Sequence, residues 1–381
     1  MKFWKKAVLI NLAVILVLLG SLTVFFATPF GRPALKTLLL VPEVVPDFPV
    51  RPLKYFSREP KVEEVTLKVG DMDIKADLYT PQDNKKHPAV IFTLGVVVTK
   101  QDSTVVKFAQ SLSRLGFVVL VPNLPDFVSG FVWTDSVETL ISAVEFLDKQ
   151  SFVNRQRIGF AGFCVGASTS IVAAEKEQIA DKVDFIAGIS PYFDIWSSAS
   201  AVITGQVKEN SSFVSWRPAD LTVESLQRGF INYVKDENER SLLLGHFIQK
   251  SPLSPESIEH FSTEARIIYD FLSNTDPEQI DELWQRFPQS AKDLILELSP
   301  STHINNLKAR VFVLDDKKDT FIPRVEGEKL FRSLPKEQIK FTEIDSFEHV
   351  NPKTKLERWS VVKQIFHLMS FVYNILVEAQ P

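Results

Sequence analysis

Gly162-Phe163-Cys164-Val165-Gly166 sets a thiol between two glycines, after an apolar run and just before the small-residue stretch Ala167-Ser168-Thr169-Ser170. The pattern predicts a sharp strand-to-helix turn with Cys164 at its apex. Backbone at such an apex is strained, and a Cβ two positions to either side would meet the neighbouring strand or helix, hence Gly162 and Gly166. The turn lifts the sulfur out of a sheet, beside the Val165 amide and a helix start, where a thiolate or a developing oxyanion is favoured. The same five residues also fit a small buried hydrophobe in a tight turn, so the rest of the chain has to decide.

A thiol nucleophile needs a base, and the base needs an orienting acceptor. His349 follows the strand predicted over Gln338–Ile344 and so falls at that strand's carboxyl edge. The other five histidines are placed worse: His87 precedes a strand, His246 and His260 lie in helical stretches, His303 leads back to the sheet, and His367 is within the terminal helix. For the acceptor, Asp319 stands four residues before Pro323, on the turn between a strand and a helix. Asp315 and Asp316 are expected to be solvated or turn-forming, and Asp194 to belong to the junction with an insertion. The chain order is therefore nucleophile Cys164, acid Asp319, base His349.

These residues need a scaffold that brings strand ends together. Val62–Val69 and Met72–Tyr79 alternate apolar and polar positions around Gly70-Asp71 and read as a hairpin. Continuous apolar runs at Ala89–Leu94, Phe117–Val121, the stretch before Cys164, Val183–Ile189 and Arg310–Leu314 read as strands buried on both faces. Helical periods lie between them, such as Thr104–Leu115 and the helix opened by Asp135 and Glu138. Alternation of this kind implies an α/β fold, a mainly parallel sheet flanked by helices, with ligands at the carboxyl ends of the strands. From 197 to 298 helical stretches predominate and predict a cap folded over that edge. The expected division is 1–27, 28–60, 61–196, 197–298 and 299–381.

Composition narrows the function. The net charge of -4 is small and mixed, which argues against nucleic acid as a partner. Cys164 is the only cysteine, so an intramolecular disulfide and a cysteine zinc site are excluded. No metal cluster, phosphate loop or nucleotide fingerprint is visible, and no cofactor is expected. Lys2, Lys5 and Lys6 precede a charge-free stretch, Ala7–Ala27, about 30 Å long as a helix. Its length favours an uncleaved transmembrane signal anchor over a cleavable signal peptide, whose apolar region is shorter. Charge is heavier on the N-terminal side, placing that end in the cytoplasm and the globular part outside it. Seven prolines between Thr28 and Pro60 predict an extended, stiff connector, within which Leu38–Val41 touches either the membrane or the globular part.

The elbow, the Asp319-x-x-x-Pro323 turn and the order Cys164, Asp319, His349 together resemble the α/β-hydrolase superfamily, over Lys61 to about Phe193 and from His303 to the end. Cysteine at the elbow is similar to the dienelactone hydrolase branch. That branch lacks an insertion such as 197–298 and carries a glutamate near its thiol that has no counterpart here. The loop after the first buried strand reads Leu94-Gly95-Val96-Val97, where many relatives have His-Gly. Gly95 still permits close backbone approach, so the amides of Val96 and Val165 are the expected oxyanion hole.

The resemblance implies a hydrolase of carboxylic esters, thioesters or lactones, acting through an acyl-enzyme on a small-molecule or lipid-like acyl substrate, and the N-terminal stretch adds a membrane anchor to it. Two alternatives stay open: acyl transfer by the same triad, and a binding protein that kept the fold without activity. Trp196, Trp216 and Trp284 either line an apolar acyl pocket or form the aromatic core of the cap.

Overall fold

A computed structural model describes residues 2–44, 50–209, 212–345, 347–348, 351–352 and 358–380. The chain begins with helices α1 (Lys2–Ala27), α2 (Gly31–Val44) and α3 (Leu53–Phe56). Strands β1 (Lys61–Val69) and β2 (Met72–Thr80) then pair antiparallel across Gly70, whose φ of +55° suits the tight turn. After them come β3 (His87–Thr93), α4 (Ser103–Arg114), β4 (Val118–Pro122), α5 (Pro125–Val128), α6 (Thr134–Asp148), β5 (Val153–Phe163), α7 (Val165–Ala174) and β6 (Val183–Ile189).

Eight strands form one sheet in the order β1-β2-β4-β3-β5-β6-β9-β10, where β9 is Arg310–Asp316 and β10 Ile339–Ile344. From β4 to β10 every pair is parallel, while β1 and β2 make an antiparallel edge. The central strands bury both faces: β3 and β4 have no exposed residue. Chain order reverses at β3, since its crossover to β4 goes one way and β5 lies on the other side. The crevice at the carboxyl ends of β3 and β5 is the switch point at which such sheets bind ligands.

Two apolar layers cover the sheet. One joins α6 and α7 to residues such as Leu140, Phe160 and Val313. The other joins α4 and the terminal helix, labelled α17 below, to residues such as Val90, Val119 and Phe312.

Between β6 and β9 lie α8 (Ile195–Thr204), the paired strands β7 (Gln206–Glu209) and β8 (Ser212–Ser215), then α9 (Asp220–Asn232), α10 (Glu237–Phe247), α11 (Pro255–Glu259), α12 (Thr263–Leu272), α13 (Ile280–Arg286) and α14 (Gln289–Glu297). This insertion has its own core, in which Trp196 stacks on Phe271 at 4.7 Å. Between α11 and α12 the chain restarts at Ser262, whose hydroxyl caps the Ala265 amide of α12. The short helix α15 (Pro300–His303) leads back to β9, and α16 (Arg324–Ser333) joins β9 to β10. Phe347–Glu348 and Asn351–Pro352 form the small ladder β11/β12, and α17 (Arg358–Glu378) closes the described chain.

Two buried devices tie the insertion to the sheet. The Glu326 carboxylate on α16, 2% exposed, accepts from the Phe193 and Asp194 amides, the Ser197 hydroxyl and Lys329 Nζ, gripping the start of α8. Farther along, Trp216 Nε1 donates to the Asp319 carbonyl at 2.8 Å and the Ala219 amide to the Thr320 carbonyl at 2.7 Å.

The extended connector expected over 28–60 is corrected. Residues 31–44 of it are the helix α2, with Pro33 in its first turn, where a missing N–H costs nothing, and Pro42 in its last. Thr37, Leu40 and Val41 of α2 are buried against the layer formed by α4 and α17, so Val41 and Leu40 touch the globular part. Among the described residues no single helix is long and apolar enough to cross a bilayer. The bent pair Leu16–Ala27 and Gly31–Val44, turning through 99°, meets that test jointly by length and composition.

Glu175 closes α7 at 4% exposure, and its Oε1 has no hydrogen-bond partner among the described residues. Burial pushes its pKa up from 4.5 to about 9. The folded state thus holds a proton that the unfolded chain releases, and stability falls as pH rises from about 4.5 toward 9. Glu175→Gln is expected to be more stable than the parent at pH 8, by on the order of 1–3 kcal/mol. The difference should close below pH 4.5, as urea melts at the two pH values will report.

Candidate active site

Cys164 sits between β5 and α7 with φ +54° and ψ -131°, a backbone conformation that a side-chain-bearing residue adopts only when its surroundings impose it. What imposes it is visible on both sides. The Cys164 amide donates to the Ile189 carbonyl at 2.8 Å, and its carbonyl accepts from the Ala167 amide at 3.0 Å. A Cβ on Gly162 would lie 2.5 Å from the Ala167 Cα, and one on Gly166 would lie 2.2 Å from the Leu94 carbonyl oxygen. Helix and strand therefore meet at backbone contact, and the residue between them must turn through positive φ.

The thiol is 8% exposed and packs with Tyr192 and Ile322. A Cβ on Gly95 would stand 3.7 Å from the Cys164 Cβ, which places the loop after β3 directly over the elbow. That loop carries its own left-handed residue, Val97 at φ +57°, whose amide donates to the Phe127 carbonyl. Val96 and Val165 line one cavity together with Cys164. Val165 is the first residue of α7, so no carbonyl of its own helix lies behind its amide.

The cavity measures about 150 Å³. Its walls come from the sheet edge and from the insertion: Val202 of α8, Leu226 and Phe230 of α9, Phe287 and Ile295 near α14. Trp133 is its tryptophan. Trp196 and Trp284 instead lie 4.7 Å apart in the core of the insertion, and Trp216 holds the Asp319 loop. The aromatic-core reading therefore applies to the first two. The residues of α9 that face the cavity were not singled out in the sequence, because their spacing is that of any amphipathic helix.

Asp319 lies on the turn after β9, 3% exposed. Its Oδ1 accepts from the amides of Phe321 at 2.6 Å and Ile322 at 3.1 Å, and Phe321 and Ile322 reach the cavity wall. The carboxylate is thus fixed by its own turn, while Trp216 fixes the turn from outside. Asp316 forms the turn, accepting from the Lys318 amide, but is buried rather than solvated. Asp315 is buried too, with Oδ2 against Gly327, where a Cβ would come within 1.9 Å. Burial, then the charges of Asp319 and Glu343, push its carboxyl well above the usual range. Asp194 caps α8 by accepting from the Ser197 amide and also accepts from the Ser301 hydroxyl, at the junction of insertion and sheet.

His349 lies outside the described residues, so the expected base is not placed beside Cys164 and Asp319. Of the other five histidines, none lines the cavity. His87 bridges the Gly116 carbonyl and Asp83 at the opposite edge of the sheet, and His367 contacts the Glu343 carbonyl. No group of three or more possible metal ligands occurs among the described residues.

No protein-family model and no curated protein matches the chain. Solved structures do. A puromycin-hydrolyzing peptidase of Mycobacterium tuberculosis is similar at TM-score 0.51 and 16% identity, over 87% of this chain. The chain spans 41% of that peptidase's length. Dienelactone hydrolase from Anabaena variabilis matches at TM-score 0.44 and 11% identity, over 83% of this chain and 97% of its own. With the strand order and the strand-to-helix elbow, the similarity to the peptidase establishes the α/β-hydrolase fold.

The contacts at the elbow set a test. Gly166→Ala drives a methyl into the Leu94 carbonyl and is expected to destabilise the protein by about 2–4 kcal/mol in urea melts. Gly229→Ala on α9, where the new Cβ meets the Phe131 Cβ at 3.6 Å, is expected to be neutral or to stabilise by less than about 1 kcal/mol.

Proposed function

We propose that the protein is a membrane-anchored hydrolase of carboxylic ester, thioester or lactone bonds that works through the thiol of Cys164. The observation that carries the reading is the elbow: a lone cysteine held at φ +54° immediately before a helix, opening into an apolar cavity. A buried hydrophobe gains nothing from such strain, whereas a nucleophile gains exposure to the ligand crevice.

In this mechanism His349 takes the thiol proton, and Asp319 holds the imidazole in the orientation that allows it. The sulfur attacks the substrate carbonyl. The amides of Val165 and Val96 bind the tetrahedral oxyanion, and the leaving alcohol or thiol departs with the proton from His349. Water, deprotonated by the same imidazole, then attacks the thioester, and collapse of the second intermediate returns the thiol and releases the acid. The insertion 197–298 acts as a cap whose apolar wall takes the acyl part of the substrate and excludes bulk water from the site. Residues 1–27 form the anchor, with the catalytic domain on the extracytoplasmic side.

Cys164→Ala should lower kcat/KM for short aryl esters by about 10³-fold or more, and Asp319→Asn by on the order of 10²–10⁴-fold with the melting temperature unchanged. An unaffected rate in Cys164→Ala would remove the assignment. Iodoacetamide separates an enzyme from an inert scaffold: a catalytic thiol should be alkylated much faster at neutral pH than the thiol of the unfolded chain, and Asp319→Asn should slow that reaction.

A further inference from the structure

The turn between α1 and α2 is a built corner. The Thr28 amide and hydroxyl both donate to the Phe25 carbonyl, the Gly31 amide donates to Thr28 Oγ1, and the Arg32 amide to the Thr28 carbonyl. Gly31 comes so close to the end of α1 that a Cβ there would overlap the Phe25 carbonyl at 1.9 Å. The 99° angle is therefore held by hydrogen bonds and steric contact. If α1 runs along a bilayer normal, α2 must lie in the bilayer plane.

The outward face of α2 suits that position. Its inner face, Thr37, Leu40 and Val41, is buried in the domain, yet Leu35 and Leu38 on the outer face are exposed, as is Phe30 at the corner. A surface helix apolar on both faces has an unfilled partner. The neighbouring α3 continues the face: Tyr55 and Phe56 are 71% and 76% exposed. It is held against the end of α2 by Glu43, which accepts from the Leu53 amide. Around these apolar groups stand the exposed Arg32, Lys54 and Arg58, the side-chain mixture of an interfacial helix on anionic lipid.

This face is the amino-terminal edge of the sheet. Gln380 Nε2 donates to the Pro29 carbonyl at the corner, and Arg157 Nε, in the first half of β5, donates to the Gln380 carbonyl. Cys164 stands seven residues further along the same strand direction, about 23 Å away.

We infer that α2 and α3 form a shelf resting on the membrane leaflet that α1 enters, with Leu35, Leu38, Tyr55 and Phe56 in the interface. The cavity at Cys164 then opens away from the bilayer, toward substrate delivered from the aqueous phase rather than from the anchoring leaflet. The inference rests on the reading of 1–27 as the anchor.

The test uses the full chain reconstituted into phosphatidylcholine–phosphatidylglycerol vesicles. Cys164→Ser removes the native thiol, and Leu38→Cys, Phe56→Cys or Phe213→Cys on β8 of the insertion then carries a bimane label, each fold checked by its melting transition. Nitroxide lipids should quench bimane at 38 and 56 at least about twofold and leave 213 unchanged. Absence of quenching at 38 and 56 in vesicles that retain the protein through an alkaline wash overturns the shelf and leaves the anchor standing. Equal quenching at 213 overturns the orientation. Loss of the protein from the vesicles in that wash overturns the anchor, and the shelf with it.

Discussion

The backbone contact between α7 and the ends of β3 and β5 is the constraint on which the site depends. Because Gly162 and Gly166 bring helix and strand within reach of each other's main chain, Cys164 has no other way to pass between them than through positive φ. That one dihedral aims the sulfur into the crevice, sets the Val165 amide beside it, and brings Gly95 of the neighbouring loop to its Cβ. The strain is a local cost offset by the surrounding sheet, whose central strands are buried on both faces.

The Asp319 side of the site is built differently. Asp319 is held by its own turn amides, and the turn is held by a segment of the insertion through Trp216 and Ala219. A second tie, the Glu326 carboxylate, fixes the start of α8 with four donors in a nearly dry environment. The insertion is thus hydrogen-bonded to the sheet at its first helix and near the acid loop. Motion of the insertion as a free lid would break its bonds to the turn that carries Asp319 and to Glu326.

Much of this was legible in the sequence because it follows from short-range rules. Buried parallel strands appear as unbroken apolar runs, the hairpin as strict alternation around Gly70-Asp71, and the elbow as two glycines flanking one cysteine. What escaped depends on contacts between distant segments. The proline count argued against a helix over 28–60, yet Pro33 falls in the first turn of α2, where it does little harm, and buried contacts with α4 and α17 offset the backbone donor that Pro42 removes from the last turn. Asp315 looked like a turn residue, and only the approach of α16, with Gly327 against its Oδ2, shows it to be a buried carboxyl. Trp216 could not be told from a core aromatic, since its role lies in one N–H aimed at a carbonyl a hundred residues away. His349, the residue most readily nominated by position, lies outside the described residues.

The pairing of β6 with β9 has a consequence for how the chain reaches this structure. During synthesis β6 is completed long before β9, because the whole insertion is made between them. Until β9 arrives, the Val183–Ile189 strand is the open edge of a half-built parallel sheet, apolar and without a charged residue after Asp184. Parallel pairing across so long a connection is slow, and such edges seek partners on other chains. The compact core of the insertion, with its own aromatic cluster, shortens the effective loop that must close. Substitutions that loosen that core thus lower the yield of folded protein even where the finished protein stays stable.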